Sequence, residues 1–203
     1  MLELLFPKSC AGCGAAGVSL CASCQEELRR VPHRVSCTVD PRVPVWALSP
    51  YAGAHRQLVI SMKERGRRDA CAYVGAAVRA AVDFLAARGE LPFAVDLTLV
   101  PAPTRARSAR LRGGDTVTAV CASSGLSTVP CVQHRSSVRD SVGLDAAARR
   151  RNLAEGVDLL QVPSSPVLLV DDVVTTGATV EATCAVLFSA GVEVSGVLAV
   201  CAA

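Results

Sequence analysis

The apolar residues of this chain fall into runs that predict a succession of strands and helices. Val167 to Val170 is an unbroken apolar run, rich in β-branched residues and without alternation, which suits a strand buried on both faces of a parallel sheet. After a loop of hydroxyls and small residues, Val180, Val186 and Leu187 mark the apolar face of a helix that Gly191 stops, and Val192 to Val200 predicts a last strand. Upstream, Val43 to Ser49 predicts a first strand. His55 to Lys63 predicts a helix with Leu58, Val59 and Met62 turned inward. Ala70 to Arg88 has the period and length of a long packing helix, Val95 to Val100 predicts a second core strand, and Leu126 to Cys131 an edge strand. Strands alternating with helices across short turns predict an α/β fold, an open, mainly parallel sheet flanked by helices.

Length and composition bound this picture. A chain of 203 residues holds one substantial core plus a small appendage. Only 3% of residues are aromatic, so the core is expected to be mostly Ala, Val and Leu. A net charge of +3 is too mild to imply a polyanionic partner. The run from Met1 to Phe6 is short and broken by Glu3, which does not suit a secretory signal, and Arg79 and Asp83 interrupt the longest apolar stretch. Ten cysteines without an export signal therefore suggest a reducing, cytoplasmic setting, with the cysteines as metal ligands or buried thiols.

The candidate chemistry is concentrated in two places. Cys10, Cys13, Cys21 and Cys24 form two C-x-x-C pairs, the spacing of a closed, tetrahedral, structural zinc site in a zinc-ribbon-like module, with Gly12 and Gly14 supplying the tight turns. The segment is too short to bury a core of its own, so metal binding is expected to supply much of its folding energy. The organisation expected is a zinc-binding module at 1–36, a linker at 37–44 and an α/β domain at 45–203. Cys37 has no partner at metal spacing, the remaining cysteines read as small buried hydrophobes, and no catalytic partner singles out His33, His55 or His134.

The second place is the end of the 167–170 strand. Asp171 and Asp172 are expected at its carboxyl end, where ligands sit in open α/β sheets. They are followed by Val173, and then by Thr175, Thr176, Gly177, Ala178 and Thr179 at a helix start, where free backbone N–H groups, hydroxyls and the helix dipole would hold a phosphate. The alternative is that Asp and Thr serve only as helix caps. No G-x-x-x-x-G-K-[ST] phosphate motif is present, and no G-x-G-x-x-G opens a helix. Two further segments carry arginine. Pro101-Ala102-Pro103 ends a strand and leads to Arg105 and Arg107, which read either as a rigid anion loop or as a turn into a solvated helix. Gln133 to Asn152 is polar and basic, and Lys63 opens a cationic stretch at a helix end.

The run L-L-V-D-D-V-x-T-T-G-A-T resembles the 5-phosphoribosyl 1-diphosphate (PRPP) motif of type I phosphoribosyltransferases. Tyr51-x-Gly, Lys63-x-Arg-Gly and the four cysteines together resemble the ComF subgroup of that family. The resemblance runs from Cys10 to Val200. It implies a phosphoribosyltransferase, a glycosyltransferase of the pentosyl class, in which a nitrogenous acceptor displaces pyrophosphate from PRPP. On that reading Asp171 and Asp172 take the ribose hydroxyls directly or through magnesium, residues 173 and 175–179 take the 5-phosphate, and Pro101, Ala102, Pro103, Arg105 and Arg107 form the pyrophosphate loop. Lys63, Arg112, Arg139, Arg151 and Asn152 belong to the lid or acceptor side. The subgroup's link to DNA uptake and competence implies single-stranded DNA or uptake machinery as a partner, with a catalytically degenerate PRPP-binding or DNA-handling module as the alternative. The chain departs from the subgroup at Glu64, where an aromatic is usual, at Gly114, Asp115 and Thr116 in place of Phe, Asn and Gln, and at Ser141 in place of Gln. These departures fall where an acceptor would be recognised, so the acceptor is left unnamed.

Overall fold

The computed structural model describes residues 8–104, 115–135, 156–164 and 166–203. Among these residues the strands are β1 (His33–Arg34), β2 (Val45–Pro50), β3 (Thr98–Pro101), β4 (Val132–His134), β5 (Val157–Leu159), β6 (Val167–Val174) and β7 (Val194–Ala202). Five of them form one sheet in the order β1-β2-β7-β6-β3, parallel except for β1, which runs antiparallel along the edge of β2. The remaining two, β4 and β5, make a separate antiparallel pair. The helices are α1 (Ala22–Leu28), α2 (Gly53–Glu64), α3 (Cys71–Ala87), α4 (Thr116–Ser123) and α5 (Ala178–Ser189). The fold is therefore α/β, an open, mainly parallel five-stranded sheet with helices packed against it and a four-cysteine module at the N-terminus.

Burial explains why β6 lacks a polar alternation. Leu168 and Val170 share one apolar cluster with Leu58, Val59 and Met62 of α2, Val74 and Val78 of α3 and Val120 of α4. Val167 and Leu169 share the opposite cluster with Val180 and Leu187 of α5 and with Val132 and Val157 of the β4–β5 pair. With both faces covered, every position of the run is apolar. Helix α3 is 17 residues long and its buried stripe includes Val74, Val78, Val82 and Leu85. Its exposed side carries the Arg79–Asp83 ion pair at 2.9 Å.

Two strand expectations are adjusted by tertiary context. The strands expected at 43–49, 95–100 and 192–200 begin two to three residues later, because Val43, Val95 and Val192 lie in the turns leading into them. The edge strand expected at 126–131 shrinks to a single bridge between Thr128 and Leu99. Pro130 has no N–H with which to continue the ladder. The segment 37–44, read as a linker, runs beneath the start of α5, where the Val39 N–H donates to the Thr176 carbonyl at 2.8 Å. Likewise the cysteine module buries Leu20 and Leu28 in the same cluster as Leu58 and Val59, so it shares the main core instead of building its own.

Helices α3 and α4 cross at Gly75, where a Cβ would lie 2.7 Å from the carbonyl carbon of Ser123 and 2.8 Å from the Val120 carbonyl oxygen. These are backbone atoms and cannot rotate away. Gly75→Ala should therefore destabilise the fold by about 1–3 kcal/mol, even though alanine gains roughly 1 kcal/mol of helix propensity. Urea denaturation should show a lower midpoint at an unchanged m-value, and an equal or higher midpoint would contradict this packing.

Candidate functional site

At the carboxyl end of β6 the chain turns through Thr175 and Thr176 to Gly177 and enters α5. Gly177 holds a left-handed backbone, φ 86°, which favours glycine. Its Cα is also pressed against the segment below, since a Cβ there would lie 2.7 Å from both the Cys37 Cβ and the Val39 carbonyl oxygen. The loop is thus shaped from behind. No side chain caps α5 through its N-cap residue, and the Ala178 N–H reaches Thr176 Oγ1 at a long 3.4 Å. Asp171, Val173, Val174, Thr175, Thr176, Gly177, Ala178, Thr179 and Val180 line one open depression. The acid and the hydroxyl loop therefore face the same space.

The acids themselves differ from expectation in placement. They do not follow the strand but lie within it, with Asp171 paired to Ala199 of β7 and β6 continuing to Val174. Successive residues of a strand normally point to opposite faces. Here the alternation reverses across the two acids: Leu168 and Val170 pack on one side, but after the acids it is Val173 that joins that side and Val174 that joins the other. The paired strand reverses with it, since Val200 and Cys201 are successive and both pack on the α2 side. The two acids stay close enough to interact through the Asp172 N–H and through charge. Burial, and then the charge of Asp172, push the Asp171 carboxyl up to about 7. Asp171 Oδ1 accepts the Asp172 N–H at 2.8 Å, which offsets part of that cost.

Asp172 has a cation beside it that periodicity does not reveal. Lys63 Nζ, from the last turn of α2, lies 2.7 Å from Asp172 Oδ1. Pro101 pairs with Val170 across the β3–β6 ladder, and the Ala102 N–H donates to the Val170 carbonyl at 2.8 Å, so the Pro101-Ala102-Pro103 turn stands beside Asp171. Thr104 donates to Asp115, which also accepts the Val117 N–H and the Thr118 hydroxyl. Asp115 is thus a helix cap in this chain. Arg105, Arg107, Arg112, Arg139, Arg151 and Asn152 lie outside the described residues, as does most of the 133–152 segment; β4 and β5, on either side of the undescribed stretch, pair antiparallel.

The four cysteines of the N-terminal module converge. The Sγ atoms of Cys10, Cys13, Cys21 and Cys24 all lie within 4.8 Å of one another, and none is in a disulfide. Tetrahedral zinc with four sulfurs at ~2.3 Å requires S···S separations of about 3.8 Å, so the set is placed to hold a metal ion such as zinc. The first knuckle is closed by the Gly14 N–H donating to the Cys10 carbonyl at 2.9 Å, and Gly14 takes φ 82°. Gly12 is needed for a different reason than its turn, since a Cβ there would lie 2.8 Å from Cys24 Sγ. Burial raises the Cys10 thiol, but the backbone amides of Cys13, Cys21 and Gly12 outweigh it and bring it down to about 6, which favours the thiolate a metal requires. Nearby, His55 is buried, with Nδ1 3.6 Å from Glu27. Only the tertiary structure marks it, because its partner belongs to α1.

No protein-family model matches the chain, and a search of curated proteins finds no match either. What fold and site define is the class: an α/β protein with an open, mainly parallel sheet, an acid-and-hydroxyl depression at its carboxyl end and a four-cysteine cluster.

Elemental analysis of the purified full chain should find zinc equimolar with protein. A Cys10→Ser/Cys24→Ser double variant should lose it, and should unfold at lower temperature because Leu20 and Leu28 lose their support. The acids make a second prediction. A carboxyl raised in the folded state binds its proton more tightly there than in the unfolded chain, so its contribution to stability is greatest at low pH and is lost as pH rises from about 4 to about 7. Asp171→Asn should flatten that slope and stabilise the ligand-free chain at pH 8 by on the order of 1 kcal/mol after solvent screening. Parallel slopes for wild type and variant in denaturation from pH 4 to 8 would contradict it.

Proposed function

We propose that the chain binds PRPP and transfers its phosphoribosyl group to a nitrogenous acceptor, as a phosphoribosyltransferase of the ComF type. The observation that carries the reading is that Asp171 and the Thr175–Thr179 loop line one depression at the carboxyl end of a parallel strand. A sugar phosphate has the matching polarity, with an anion at one end and a vicinal diol at the other. The first N–H groups of α5 and the hydroxyls of Thr175, Thr176 and Thr179 suit the 5-phosphate. Asp171 and Asp172 suit the ribose hydroxyls, as acceptors that fix the ring. The Pro101–Pro103 turn stands beside Asp171 and leads toward Arg105, whose guanidinium is the sequence's candidate for the diphosphate.

In the reaction the C1–O bond to the diphosphate breaks, and pyrophosphate leaves with the bonding pair. An acceptor nitrogen supplies the pair for the new C1–N bond, and its surplus proton passes to solvent. The chain's contribution is placement and electrostatics: holding both ends of the sugar phosphate restricts C1 to one approach, and anchored carboxylates favour positive charge developing on the ribose. Magnesium prefers one or two carboxylates together with substrate oxygens. Asp171, facing the depression and raised by burial and a neighbouring charge, is a carboxyl that gains from such a cation, which when bound would neutralise the diphosphate.

Zinc-loaded protein incubated with PRPP, magnesium and a panel of bases and amines should release pyrophosphate with at least one acceptor. In calorimetry the Asp171→Ala/Asp172→Ala double variant should bind PRPP about 100-fold more weakly or worse, with its circular dichroism unchanged. Undiminished binding by that variant would overturn the reading.

A further inference from the structure

Lys63 reaches the acids from the opposite side of the site to the phosphate loop. Its ammonium lies 2.7 Å from Asp172 Oδ1, with 29% of the lysine side chain and 12% of the aspartate side chain exposed. Lys63 is absent from the depression that Asp171 shares with the Thr175–Thr179 loop. The lysine is not carried there by a loose tail. Helix α2 buries Leu58, Val59 and Met62 in the main core, and Ser61 Oγ donates to the Ala11 carbonyl at 2.9 Å. Just beyond the helix, Arg67 donates to the Ser9 carbonyl at 2.8 Å and pairs with Asp69. Both anchors to residues 9 and 11 belong to the cysteine module, so the helix that aims Lys63 is clamped between the module and the sheet.

Two adjoining carboxylates poorly reached by water cannot both stay charged without a counter-ion. Among the described residues Lys63 is the cation in direct contact with the pair, and its ammonium touches Asp172 while acting on Asp171 only through its charge. We infer that Lys63 is a positioning residue for the diol half of the site: its contact holds the Asp172 carboxylate oriented to accept hydrogen bonds from vicinal sugar hydroxyls, while leaving the phosphate loop untouched. The assignment rests on the sugar-phosphate reading above, and it separates two contributions to binding that the shared depression would otherwise blend. A lysine that served only to brace α2 would affect both halves of the ligand alike.

Two probes distinguish these cases, ribose 5-phosphate and 2,3-dideoxyribose 5-phosphate, titrated calorimetrically into the full-length, zinc-loaded chain. The wild type should prefer the probe with hydroxyls. Lys63→Met should weaken ribose 5-phosphate by about tenfold, leave the dideoxy probe unchanged and so erase the preference, and Lys63→Arg should restore most of it because a guanidinium also pairs with a carboxylate. An equal loss for both probes in Lys63→Met would show a brace and overturn the assignment, as would a preference that survives the substitution. A wild-type chain that binds neither probe, or binds both equally, would overturn the sugar-phosphate reading itself and the role of Lys63 with it.

Discussion

Two carboxylates inside a strand whose other residues are almost wholly apolar create a cost that the surrounding structure has to offset. Asp172 is 9% exposed and lies where β6 runs on beside β7, two residues past its last pairing with β3. Two features answer that cost: the Asp172 N–H donates to Asp171, and Lys63 brings a cation to Asp172. The residual charge is left beside a helix start whose N-cap glycine offers no side chain of its own. A site arranged this way is electrostatically incomplete by itself, which is what a binding site for a polar, multiply charged ligand needs to be.

Much of the remaining chain sets the position of those groups. Residues 37–39 press on Gly177 from beneath and hold the loop by the Val39–Thr176 bond. The cysteine module braces α2 through Ser61 and Arg67, and α2 in turn aims Lys63. The cluster of thiols therefore lies in one mechanical path with the acids, although it is not part of the depression. A closed four-sulfur metal site leaves no coordination position for chemistry and suits the role of a rigid clamp.

The parts of the site legible in the residues are those that are local in the chain. The strand, loop and helix from Val167 to Ser189 follow one another without interruption, so apolar run, acids and small hydroxyl residues announce their own geometry. The cysteine pairs do the same, because metal-ligand spacing is a property of a short loop. Asp115 was legible only as a departure from a pattern, and its place as the cap of α4 emerged from its three hydrogen bonds. His55 and the segment 37–44 looked featureless because what they touch lies elsewhere in the chain.

By itself the amino-acid sequence determined the α/β class, the central strand with its hydroxyl loop, and a cysteine set spaced for a metal, since each depends on periodicity or spacing within a few residues. Only the tertiary structure decided that the acids sit inside the strand, that Lys63 faces Asp172 and that the cysteine module shares the main core. Those outcomes arise where segments distant in the chain are packed together, and a pairing of that kind depends on how helices and strands stack, about which the order of residues along one segment carries no information.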